Sequence, residues 1–233
     1  MQARSVSPEF SPLAMGEDLA PVPAYKGAST TWVNFSALLE PPLQLREDLK
    51  SGCGGQLWPA GVVLAQHMLR YHRISLKHAR ILELGAGGGL VGLGLAMGCE
   101  LDHPIYISDQ ENMVELMRQN IKLNKLQSRV NEMVLNWGDP LPGEIVKEKP
   151  NVILAADCVY FEPAFPLLLA TLEDLLDLCE ESVVYFCFKK RRRADLQFMR
   201  NARKKFVVEE VEDQDRVRFS REGLFLYTFK RKP

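Results

Sequence analysis

The segment Ile81-Leu82-Glu83-Leu84-Gly85-Ala86-Gly87-Gly88-Gly89-Leu90 constrains the fold of this chain more than any other. An apolar strand runs into a glycine-rich turn, and the turn runs into an apolar helix. In an open α/β sheet such a turn lies at the carboxyl ends of the strands, where ligands bind. Glycines at 85, 87 and 89 suit that role because a Cβ would hold the backbone away from a ligand. A plain tight turn is the simpler alternative, but it gives no reason for three alternating glycines after an apolar strand.

Gly87, Gly89 and Gly92 literally match the dinucleotide pattern G-x-G-x-x-G. The strand ends at Leu84, however, so the first glycine of the loop is Gly85 and the match begins late. Glu83 also stands at the strand's carboxyl end. A carboxylate there repels a pyrophosphate and favours the cationic methionyl end of S-adenosyl-L-methionine. The charge pattern therefore favours a methyl donor.

The rest of the chain alternates in the same way. A helix is expected from about Pro59 to Tyr71, then strand 79–84, a helix through Leu90–Met97, strand 104–108 and a helix over 110–124. Met113, Met117 and Ile121 recur there at four-residue spacing. Strands follow at 131–136, 151–156 and 183–188, with helices marked by Leu168, Leu172, Leu175 and Leu176 and by 193–204. FVVEEV (206–211) and LFLYTF (224–229) show no helix between them and should pair antiparallel. TTWVNF (30–35) is a further short β-prone run. The expected fold is α/β: a Rossmann-like, seven-stranded, mostly parallel sheet with helices on both faces and a C-terminal antiparallel β-hairpin. Residues 1–27, with four prolines among small and polar residues, read as a flexible tail before a single domain over 28–233.

Bulk composition narrows the function. With 29 basic against 30 acidic residues the net charge is -1, without the basic excess of a general nucleic-acid binder. The five cysteines form no C-x-x-C pair and share no ligand spacing with the four histidines, so no metal site is expected. No apolar run approaches the ~20 residues that span a bilayer, and the N-terminus lacks a secretory pattern. A cytoplasmic enzyme without membrane or nucleic-acid partners is the expectation, acting as a monomer.

Several residues at strand ends carry chemistry. Asp109 ends the second strand, where a carboxylate accepts hydrogen bonds from both ribose hydroxyls of a nucleoside. Trp137, in Asn136-Trp137-Gly138-Asp139 after the third strand, suits either the face of an adenine or a structural role in the core. Asp157 leaves the apolar fourth strand in Ala156-Asp157-Cys158-Val159-Tyr160, too far upstream of Pro163 to cap the next helix directly.

At this point the chain resembles the seven-β-strand protein-lysine methyltransferases of the METTL21-like group. The resemblance rests on GGQLWPAGVVLA (54–65), ELGAGGGLVGL (83–93), Asp109, NIKLN (120–124), NWGD (136–139) and DCVY (157–160), and spans roughly residues 50–190. It implies that Trp58, Glu83, Gly85, Gly87, Asp109, Trp137 and Ala156 surround S-adenosyl-L-methionine, and that Asp157 and Tyr160 are the catalytic pair lining a lysine channel. Residues 188–195 look most like the fungal branch that methylates translation elongation factor 1A, which implies that protein as partner. A solvated helix start is the plainer reading of Lys189–Arg193; as part of the cleft rim, the cluster would complement an acidic protein face. Methyltransferases of other substrates and a non-catalytic cofactor-binding module remain the alternatives.

For lysine, the chemistry requires a neutral amine, whereas the side chain has a reference pKa of about 10.4. A channel walled by Tyr160 desolvates the amine. Asp157 orients it or receives it as the ammonium ion.

Overall fold

Apolar strands alternating with amphipathic helices give the three-layer arrangement expected from the sequence. The computed structural model describes residues 28–49 and 53–232; the tail expected over 1–27 lies outside the described residues. A hairpin of β1 (Ser29–Val33) and β2 (Leu43–Glu47) comes first, followed by helix α1 (Pro59–Tyr71). Then come β3 (Ile81–Leu84), α2 (Leu90–Gly98), β4 (Ile105–Asp109), α3 (Glu111–Leu123), β5 (Val130–Val134) and α4 (Gly143–Glu148). The chain continues through β6 (Val152–Ala156), α5 (Phe165–Asp177), β7 (Val183–Lys189), α6 (Arg193–Lys205), β8 (Phe206–Glu210), α7 (Arg216–Arg221) and β9 (Leu224–Arg231).

The seven-stranded sheet has the order β5-β4-β3-β6-β7-β9-β8. Its first five strands pair in parallel, and β9 runs antiparallel to both β7 and β8. The chain winds from β3 outward to β5 and then crosses back, so that β6 lies on the other side of β3. The carboxyl ends of β3 and β6 therefore flank the point where the winding reverses, which is where ligands bind in such sheets.

One face of the sheet packs against α1, α2, α3 and the β1–β2 hairpin, and the other against α4, α5 and α6. Helix α2 is buried on almost every side, from Leu90 to Ala96, which is why its sequence is nearly uniformly apolar. On the opposite face Phe186 stacks on Phe198 and Phe229, tying β7, α6 and β9 together.

Three elements depart from the expectation. β2 was not foreseen, and neither was α4. Helix α7 interrupts the connection between β8 and β9, although the two strands pair antiparallel as expected.

β2 is held by an unusual partner. Asn120 and Asn124, on and just after the last turn of α3, place their amides alongside its backbone. Asn120 accepts from Arg46 N at 2.8 Å and donates to Arg46 O at 3.1 Å; Asn124 accepts from Gln44 N at 2.9 Å and donates to Gln44 O at 2.7 Å. Two side-chain amides thus imitate a neighbouring strand and satisfy the edge of β2 that β1 leaves open. Among the described residues no helix is long and apolar enough to cross a membrane.

Candidate active site

The glycine loop is shaped by close approaches on two sides. Gly85 has φ +60° and Gly87 φ +57°, a region side chains rarely adopt. A Cβ at Gly87 would come within 2.3 Å of the carbonyl oxygen of Gly54, in the turn Cys53–Gly55. A Cβ at Gly85 would come within 3.1 Å of Trp137 and 3.0 Å of the Cys158 sulfur. The loop is therefore bounded by the approach to α1 on one side and by the segments after β5 and β6 on the other. Asn120, fully buried, reaches it from below by donating to Gly88 O at 2.9 Å.

Asp109 ends β4 beside this loop. Its Oδ2 accepts from Gly87 N and its Oδ1 from Gln110 N, both at 2.7 Å. Burial raises its pKa, while the two backbone N–H groups act in the opposite direction. Each oxygen keeps a lone pair, so a vicinal diol can still bind across the carboxylate. Trp137, half-buried, is held by its own turn: Gly138, at φ +86°, donates to the buried Thr171 Oγ1 of α5 at 2.8 Å. The tryptophan thus lies beside the glycine loop and also packs against the core on the α4–α6 face of the sheet.

Glu83 occupies a different environment from the one its position suggested. It is 2% exposed, and its Oε2 accepts from Gly92 N at 2.7 Å in the first turn of α2. Burial raises its pKa to about 8; the N–H groups of Gly92 and Val91 pull it down and the Asp109 charge pushes it up. Burial thus favours the neutral carboxyl over the carboxylate. Glu83 instead joins β3 to α2 beneath the loop.

At the end of β6, Asp157 N donates to Cys187 O at 2.8 Å, which extends the parallel ladder with β7 by one step. Asp157 then turns into the left-handed region, with φ +57°. The strain is retained because its carboxylate is gripped by Arg191 through both terminal guanidinium nitrogens, Nη1 to Oδ1 at 2.8 Å and Nη2 to Oδ2 at 2.6 Å. The Arg191 guanidinium lies 5.3 Å from the centre of the Trp58 ring, at the start of α1. Ala156, the last residue of β6, pairs with Cys187.

This geometry changes the reading of Lys189–Arg193. Arg191 belongs to the cleft wall. Arg192 donates to the backbone carbonyl of Tyr160 and pairs with Asp195, and Asp195, fully buried, accepts from the backbone N–H groups of both arginines at 2.7 and 2.8 Å. These two arginines clasp α6 to the segment after β6 while remaining exposed to solvent. Reversing their charge would damage the cleft itself. Sequence reasoning missed Arg191 as a site residue; its adjacency to a strand end at the carboxyl edge was the available signal. Tyr160 is half-buried, with its carbonyl fixed by Arg192.

The residues fit a nucleoside with a charged tail: a glycine cradle that any Cβ would fill, a diol-competent carboxylate and an aromatic plane are all within one continuous edge. Comparison with known proteins agrees. A family model described as lysine methyltransferase matches residues 38–205. The protein-lysine N-methyltransferase EFM6 of Saccharomyces cerevisiae is 37% identical over 204 residues, covering 78% of this chain and 83% of that protein. The protein N-lysine methyltransferase METTL21A of Danio rerio is 36% identical over 174 residues, covering 72% of this chain and 76% of that one. Among solved structures, a Thermus thermophilus 16S rRNA N2 G1207 methyltransferase in complex with AdoMet and guanosine superposes with a TM-score of 0.58 at 13% identity. It covers 91% of this chain and 52% of that one, and at that identity the likeness speaks for the fold alone.

Proposed function

The chain belongs to the lysine methyltransferase family and uses S-adenosyl-L-methionine to methylate a protein, and from that premise we propose that its substrate is translation elongation factor 1A. The reading of the site rests on one observation. Cys158 Sγ lies 3.0 Å from the position of a Cβ on Gly85, so the cofactor loop and the DCVY segment sit side by side. A methyl donor held by the loop then faces Asp157 and Tyr160.

In this reading Asp109 holds the ribose diol, Trp137 flanks the adenine, and Gly85, Gly87, Ala156 and Trp58 shape the walls. The cofactor, when bound, supplies an electrophilic methyl carbon on a sulfonium. The chain's own task is to align a lysine nitrogen with that carbon and to exclude water. Tyr160 desolvates the lysine stem, and Asp157 orients the nitrogen from the end of β6. A cytoplasmic location is part of the same proposal.

The elongation-factor assignment is supported by the resemblance of residues 188–195, the same stretch that contributes Arg191 to the cleft. Incubating the enzyme with tritiated S-adenosyl-L-methionine and bacterially produced elongation factor 1A tests it. A methyl group mapped by mass spectrometry to one lysine supports the assignment. Label on a different protein in a whole lysate, with none on elongation factor 1A, rejects this substrate but not the enzyme class.

A further inference from the structure

The Asp157–Arg191 pair sits where a lysine amine has to arrive. Asp157 alone would present a bare carboxylate to the substrate nitrogen. Such a charge stabilises the ammonium form and so opposes the loss of the proton that attack requires. Arg191 meets that carboxylate bidentately at 2.6 and 2.8 Å, with its guanidinium carbon 5.3 Å from the centre of the Trp58 ring. The Asp157 side chain is 5% exposed and that of Arg191 32%, so water screens the pair only partly.

We propose that Arg191 is a positioning residue for methyl transfer: it neutralises Asp157 in a fixed ion pair, so that the lysine channel accepts an amine and not an ammonium ion. This inference rests on the lysine-methylation reading. The groups around the pair are arranged to keep it intact. Asp195 of α6 anchors the Arg191 backbone N–H at 2.7 Å, and Lys189 N donates to Asp157 Oδ1 at 3.3 Å. The thiols of Cys158 and Cys187 lie behind it, each kept neutral chiefly by burial, with Asp157 adding to the effect. Glu83 and Asp109 also act on Cys158, from β3 and β4. Arg192 is engaged by Asp195 and the Tyr160 carbonyl, and Trp58 from α1 carries no charge. Among the described residues, the cation set against the Asp157 carboxylate is Arg191.

The signs separate this role from a structural one. Arg191→Met leaves Asp157 uncompensated: the ammonium form is favoured, and the acid limb of kcat moves to higher pH while KM does not rise. Asp157→Asn leaves the guanidinium uncompensated: the ammonium form is disfavoured, the limb moves to lower pH and KM rises. Each displacement should be about one pH unit. The double variant restores neutrality and returns the limb toward the parental position, and Arg191→Lys, which keeps the charge, leaves it there.

The experiment is a pH–rate profile of lysine methylation for the full chain with tritiated S-adenosyl-L-methionine, using the protein that the parental enzyme labels in a lysate. Binding of S-adenosylhomocysteine shows that each variant is folded. Opposite displacements in the two single variants support the inference. Profiles that lose amplitude without moving, or that move in the same direction, overturn it while leaving the methyltransferase reading in place. A parental enzyme that labels no protein lysine overturns both.

Discussion

Arg191 and Asp157, 34 residues apart in the chain, are joined by two parallel hydrogen bonds across the carboxyl ends of β6 and β7. The pair holds a non-glycine residue at φ +57° and brings the start of α1 into the same cleft through Trp58. The end of β6, the start of α1 and the clasp at α6 are thereby parts of one structure, and substitutions at the strand ends should have distinguishable effects.

Asp109 is expected to act on the cofactor alone. Asp109→Ala removes a charged acceptor for the ribose diol together with the bond to Gly87 N. Affinity for S-adenosyl-L-methionine should fall by about 1.5–3 kcal/mol, the loss of a hydrogen bond to a charged group. Isothermal titration calorimetry measures it, and unchanged affinity would remove Asp109 from the site.

For Asp157 the order of effects reverses. Asp157→Asn keeps the volume and removes the charge, so the methylation rate should fall more than the affinity for the cofactor. Single-turnover kinetics and calorimetry on the same preparation separate the two quantities. A parental rate would show that Asp157 has no part in orienting the amine.

Glu83 should leave its mark on stability against pH. Its folded pKa of about 8 lies above the ordinary carboxylate value, so between about pH 4.5 and 8 the folded state holds a proton that the unfolded state has lost. Stability from this group is complete at low pH and falls as pH rises through that window, by at most about 1.4 kcal/mol per pH unit. Glu83→Gln keeps an acceptor for Gly92 N and has no proton to lose. Urea denaturation across pH 5 to 8 should therefore show the parent losing stability relative to the glutamine variant. Parallel curves would place the ionised carboxylate in the folded protein.

Asn120 should couple stability to the loop. Asn120→Ala strands the N–H and C=O of Arg46 and the C=O of Gly88, all near a fully buried position. A loss of about 3 kcal/mol is expected from groups left without partners, together with weaker cofactor binding because the loop loses its support. Urea melts and calorimetry check both. A stability loss with unaltered cofactor binding would show that the loop holds its shape without Asn120.

These cases show where the sequence was legible. The apolar runs and the glycine loop announced the order of strands and helices, because hydrophobic period and backbone freedom are local properties; α1 was expected at its observed bounds. β2 was not legible, since its edge is satisfied by the amides of Asn120 and Asn124 from far along the chain. Helices α4 and α7 are six residues each and too short to display a period. Asp109 and Trp137 were singled out because strand ends are readable. The raised pKa of Glu83 was not, because only the fold buries its carboxyl and brings the Asp109 charge near it. The role of Arg191 was hidden in a basic run whose partner lies across the cleft.

The account's central claim is that the glycine loop, Asp109 and Asp157 form one methyl-transfer site. A crystal structure of the protein with S-adenosylhomocysteine tests it most directly. The expected result is ribose hydroxyls within about 2.6–3.0 Å of the Asp109 carboxylate, adenine beside Trp137, and the sulfur directed toward the segment Asp157–Tyr160. A ligand whose sulfur points away from that segment, or whose ribose is held by another residue, would contradict it.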